Sequence, residues 1–139
     1  MLAHLKKTAV QIGLPFGERH MTFNSRKAQE LSKWAEKQGL GDAFHRAVFE
    51  AYFAEGRNIG RLPVLLEIAQ AIGGDPEEAR IALNDNHFKA AVDQDWRRSR
   101  SLGITAVPTF VTNGRRLVGA QSYQNLARFI TQAPTDPFS

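Results

Sequence analysis

Any chemistry this chain performs has to be done without a thiol. Its 139 residues include no cysteine, which removes a disulfide framework, thiolate metal ligation and thiol redox chemistry from what the chain can do by itself. The four histidines, His4, His20, His45 and His87, are scattered. None is paired at the i, i+3 or i+4 spacing that lets two imidazoles share a metal on one helix, so they read as surface residues and no metal or cofactor is expected. Glu77 and Glu78 are adjacent carboxylates, but neighbours on a helix point about 100° apart. Following Asp75-Pro76, they are explained as first-turn acids at the positive end of a helix macrodipole. No Gly-x-Ser-x-Gly, Walker loop or Gly-x-Gly-x-x-Gly occurs, which leaves serine-hydrolase and nucleotide chemistry without a foothold. Trp96 beside Arg97, Arg98 and Arg100 could stack a nucleobase between cations, yet stacking needs a platform and this is one ring on a helix. No catalytic residue is assigned.

The charge balance adds little. A net charge of +4 and a pI near 9.8 admit an acidic partner such as nucleic acid. However, acids at Glu30, Glu36, Asp93 and Asp95 break up the basic clusters, so solvated helix faces are the preferred reading. An apolar fraction of 42% and a charged fraction of 23% are ordinary for a globular domain. At this length folding buries roughly two-thirds of the unfolded surface. No apolar run approaches the ~18 residues of a membrane span, and residues 1–7 lack the order of a signal peptide. The expected address is the cytoplasm.

The elements that must position anything functional are mostly helices. Leu2, Leu5, Ala9 and Ile12 fall at helical spacing before Gly13 and Pro15, so a helix opens the chain. Residues 14–23 read as an extended connector. Asn24 and Ser25 then offer cap oxygens to a helix that ends at Gly39. Asp42 is expected to cap a third helix whose stripe of Phe44, Val48, Ala51 and Tyr52 is widened by Phe49 and Phe53, which predicts burial on two sides. Pro63 and Gly73-Gly74 bracket a fourth helix, Asp75-Pro76 opens a fifth, and the periodicity from Asn86 predicts a sixth that runs to Gly103. The texture then becomes β-rich at Thr109-Phe110-Val111-Thr112, turns at Asn113-Gly114 and returns at Leu117-Val118. Ser122 caps a last helix. A lone hairpin is marginal in water, so this one has to pack on helices or pair with strands supplied from elsewhere.

The stretch Gly103-Ile104-Thr105-Ala106-Val107-Pro108-Thr109-Phe110-Val111, followed by Asn113-Gly114, Gly119-Ala120-Gln121 and Leu126, resembles the DsbA family, in particular its FrnE-like branch. Upstream matches are Asn24-Ser25 with Ala28, Phe49 with Ala51-Tyr52-Phe53, Glu55-Gly56, Ile59, Leu65, Ala69 and Asp95. The resemblance implies a mainly α, α+β chain. Residues 1–102 would be the helical segment inserted in a DsbA-like fold, 103–133 the hairpin and helix of an incomplete thioredoxin fold, and 134–139 a tail. The family's first strand, its CxxC helix and its second strand have no counterpart here, so its chemistry is not carried over.

What the resemblance does carry over is Pro108, which matches the family's cis-proline. With it come Val107, Pro108 and Thr109 as candidate substrate-binding residues, where a peptide or glutathione backbone could add as a short strand. The edge of the strand Thr109–Thr112 would be bare, which predicts a homo-oligomer through that edge. The leading expectation is a redox-inactive member of a thiol-disulfide oxidoreductase family that serves as a peptide-binding or assembly module. One alternative is the C-terminal fragment of a complete disulfide oxidoreductase whose CxxC lies upstream. Another, from a different class, is a basic nucleic-acid-binding domain.

Overall fold

The computed structural model describes residues 2–132. Among the described residues, seven α-helices and one β-hairpin form two compact units, divided between Gln94 and Asp95. The division falls inside the sixth helix, ahead of the 102/103 boundary drawn from the sequence, and the tail expected at 134–139 lies outside the described residues.

The first unit holds α1 (Leu2–Gln11), α2 (Arg26–Lys37), α3 (Gly41–Phe49), α4 (Leu62–Ala71), α5 (Pro76–Asn84) and the start of α6 (Lys89–Ser101). Helix α2 packs on α3, α4 and α5, and α4 packs on both α3 and α5. Their shared core contains Leu31, Ala35, Leu65, Ala69 and Ala79 at 0% exposure, with Phe44 at 1%. Local chemistry sets the boundaries. Asp75 accepts a hydrogen bond from the Glu77 amide at 2.8 Å and Pro76 follows it, so α5 starts where a capping oxygen and a preset φ coincide. Gly39 and Gly73 end α2 and α4 at φ +73° and +90°, a region closed to most side chains. Gly74 is required for a different reason: a Cβ there would lie 2.6 Å from Trp34 Cη2.

Arg26 ties α2 to the beginning of α6. Its Nε donates to Glu30 at 2.8 Å, and its Nη2 donates to Asp93 at 2.7 Å and to the Lys89 carbonyl at 3.0 Å. Those bonds, the Glu30 one first and then Asp93, raise the already high pKa of the guanidinium and give the buried carboxylate of Glu30 its counter-charge.

Three local expectations are corrected. Helix α3 begins at Gly41, so Asp42 sits in its first turn and does not cap it; Leu40 stands at the cap with no side-chain bond. The stripe of α3 is not buried on both sides, since Phe49 is 61% and Phe53 37% exposed. The helix continues into a π-helical turn, Glu50–Ala54, closed by the Glu55 amide on the Glu50 carbonyl at 3.1 Å. Phe49 and Phe53 stay stacked across it, with ring centroids 6.1 Å apart, outside the packed core. Finally, Asn86 takes φ +55° and α6 starts only at Lys89, because a left-handed residue breaks the helical path that the apolar spacing suggested.

The second unit contains the end of α6, β1 (Thr109–Thr112), β2 (Arg115–Val118) and α7 (Tyr123–Thr131). The strands are antiparallel, in the register Thr109↔Val118, Phe110↔Leu117, Val111↔Arg116 and Thr112↔Arg115. Asn113 and Gly114 turn the chain at φ +48° and +74°, both positive as a two-residue hairpin that follows strand twist requires. Ser122 Oγ accepts from the Asn125 amide at 3.2 Å and starts α7.

Phe44→Ala should empty the centre of the helical core and cost about 3–5 kcal/mol, read as a lower urea midpoint for loss of helical circular dichroism.

Candidate functional site

In the second unit, no described residue from 95 to 132 is buried. What fixes its backbone is arginine chemistry. Arg116 Nη1 donates to the carbonyls of Leu102 and Gly103 at 3.0 and 2.7 Å, which ties β2 to the chain leaving α6. Arg115 Nη2 donates to the carbonyls of Phe129 and Gln132 at 2.7 and 2.9 Å, and its guanidinium lies 5.1 Å from the Phe129 ring centroid. The hairpin is thereby held to the end of α7. Gly103, at φ +68°, caps α6 with the Ile104 amide on the Ser99 carbonyl at 3.0 Å, and this reversal carries residues 104–107 back beside the last turns of α6.

That path places the three candidate residues. The Val107–Pro108 peptide bond is cis. Pro108 accepts from the Gly119 amide at 2.8 Å, which extends the hairpin ladder by one bond. Thr109 pairs with Val118 and donates its hydroxyl to the Ala106 carbonyl at 2.6 Å. Val107 is 89% exposed, and neither its N–H nor its C=O has a partner among the described residues. Strand β1 pairs only with β2, so among the described residues its other edge is open. An open backbone donor and acceptor at a strand edge can take an extended chain in hydrogen-bonded register.

Next to Val107 is an open cleft of about 330 Å³. Its walls are Trp96, Ser99 and Arg100 from α6 and Ile104, Thr105 and Ala106 from the returning chain. Sequence reasoning did not assemble this cleft, because it depends on how far the chain folds back after Gly103. The ties made by Arg116 were missed as well, since an arginine in a hairpin carries no signal of the carbonyls it will reach. A second hollow, about 470 Å³, lies in the helical unit among Leu5, Ile12, Leu14, Phe16, Phe49 and Phe53.

The discounted residues stay apart. His45 lies 3.7 Å from Glu36 and His87 3.7 Å from Asp85, and among the described residues no three histidines or acids come together as a metal site. Glu77 is paired with Arg80, whose hydrogen bond holds its carboxyl below the usual range. That contribution is present above the ordinary glutamate pKa and fades as pH falls through the lowered one. Glu78 makes no comparable bond among the described residues. No helix among the described residues is long and apolar enough to cross a membrane.

Residues 1–131 match the DSBA-like thioredoxin domain. The chain belongs to that family. YwbO of Bacillus subtilis strain 168, an uncharacterized protein, is 28% identical over 116 residues, which are 83% of this chain and 57% of YwbO. Among solved structures, the cytosolic disulfide reductase DsbM of Pseudomonas aeruginosa with GSH superposes at a TM-score of 0.64 with 28% identity, covering 93% of this chain and 67% of DsbM. A second structure of DsbM gives 0.63 at 28% identity, covering 94% and 68%. The chain therefore spans little more than half the length of YwbO and about two-thirds of DsbM. These likenesses establish a mainly α DsbA-like fold and place the chain in a thiol-disulfide oxidoreductase family.

Arg116→Ala should free the hairpin from the chain after α6. Taking the net worth of a typical hydrogen bond, about 1 kcal/mol, the loss corresponds to a roughly fivefold faster amide exchange across residues 109–118, with α2 to α5 unaffected in the same exchange experiment.

Proposed function

We propose that this chain is a thiol-free DsbA-like domain of the FrnE type that binds an extended peptide or glutathione along Val107, Pro108 and Thr109, and that it exchanges no disulfides by itself. The observation that carries the reading is Val107, exposed and, among the described residues, with both backbone groups unpaired at the end of an open strand edge. The solved structure of DsbM with GSH supports a glutathione-sized ligand for a fold of this kind, and the cytosolic setting of DsbM supports the cytoplasm as the address. The absence of cysteine supports binding over catalysis.

The test is a titration followed by amide chemical shifts. Reduced glutathione, or an extended cysteine-free peptide, should move the amides of Val107 and Thr109 first, while insulin reduction by the chain stays at the uncatalysed rate. Unmoved amides at millimolar ligand, or turnover of insulin by a preparation free of other reductases, would refute the reading.

The same open edge suits a second copy of the chain, with the β1 edges pairing about a two-fold axis. Light scattering should then give twice 15.5 kDa, and Val111→Lys, which sets a charge in the strand, should return the single mass.

A second reading is favoured by the 57% coverage of YwbO: the chain would be the C-terminal portion of a complete disulfide oxidoreductase whose CxxC lies upstream. The intact mass of the protein in its own cell decides between the two.

A further inference from the structure

The charge of the chain is unevenly placed. Up to Gln94, twelve basic side chains face twelve acidic ones; beyond it, six arginines face two aspartates, so the whole net charge of +4 resides in the second unit. Within that unit, Arg100 lines the cleft beside Val107. Its side chain makes no hydrogen bond or ion pair with any described residue, unlike Arg115 and Arg116, whose guanidinium groups are occupied by carbonyls. The other walls are the indole of Trp96, the aliphatic side chain of Ile104 and the short side chains of Ser99 and Thr105.

We propose that this cleft makes the Val107 edge selective for acidic peptides, by taking a glutamate side chain whose carboxylate meets Arg100. The proposal rests on the preceding reading that an extended chain pairs with Val107. Once that pairing is made, successive side chains of the bound strand point to opposite faces, and those on one face are directed at the cleft. A glutamate fits it in two ways. Its methylenes lie against Trp96 and Ile104, and its carboxylate matches a guanidinium that has an open fork of donors. The surplus of arginines in the unit adds a long-range attraction for an acidic segment and repels a basic one.

Three hexapeptides that differ only in a central Glu, Gln or Lys test the idea, with binding followed by the Val107 and Thr109 amides at low and physiological salt. The Glu peptide should bind about fivefold more tightly than the Gln peptide, and the Lys peptide more weakly than either. The margin should narrow as salt screens the charges. Arg100→Gln should bring the Glu peptide down to the Gln peptide, Arg100→Lys should restore part of the difference, and Arg97→Gln, at a residue that does not line the cleft, should leave it intact. Equal binding of all three peptides with shifts at Val107 would overturn the selectivity while the binding reading stands. No shift with any peptide would overturn the binding reading and the selectivity with it. A single-stranded oligonucleotide that binds more tightly than the Glu peptide and loses affinity in Arg100→Gln would overturn the peptide as occupant in favour of nucleic acid.

Discussion

The close approach of three helices through alanine is the constraint on which the first unit depends. Ala35 of α2, Ala69 of α4 and Ala79 of α5 are fully buried next to Leu31 and Leu65, and their small side chains let these helix backbones come near enough for the larger residues to fill the remaining space. The contact is demanding at its margins. Where α4 ends, the Trp34 ring occupies the place a Cβ at Gly74 would need, so a glycine and a tryptophan from different helices form one packing unit. The outer parts of the stripe are under no such demand: Phe49 and Phe53 remain exposed there, and the π-helical turn Glu50–Ala54 is tolerated.

The second unit obeys a different rule. With none of its described residues buried, hydrophobic burial contributes little to its shape, and the directional bonds of Arg115 and Arg116 to main-chain carbonyls take on the role of locating strand, turn and helix. A small antiparallel hairpin gains little from its own ladder. These ties matter for the site because they set the distance between the end of α6 and the strand that follows Pro108. The cleft and the open backbone of Val107 are by-products of that distance.

Much of this was legible from residues whose chemistry is local. Asp75 with Pro76, Ser122, Gly103 and Asn113-Gly114 each specify a cap or turn through their own side chain or backbone freedom, and the chain turns or starts at each of them. Asp42 misled because a capping residue and a first-turn acid look alike in sequence, and only the residue before it shows where helical φ and ψ begin. The run from Asn86 misled because apolar spacing does not report a positive φ. For the candidate site, the run from Gly103 to Val111 stands out in the sequence through its family likeness. Trp96 and Arg100 were noticed as a basic aromatic helix face, and their true neighbours, Ile104 and Thr105, follow only from the reversal at Gly103.

The two tryptophans fall one to each unit, and their surroundings are opposite: Trp34 is 4% exposed in the helical core, whereas Trp96 is 44% exposed beside the cleft. Indole emission moves to the red, and becomes easier to quench, as water gains access to the ring. The chain thus contains two native optical labels of different colour. One reports whether the helical core is intact, and the other what occupies the neighbourhood of Val107. Loosening of one unit ahead of the other would be visible as two separate spectral changes without attaching any dye.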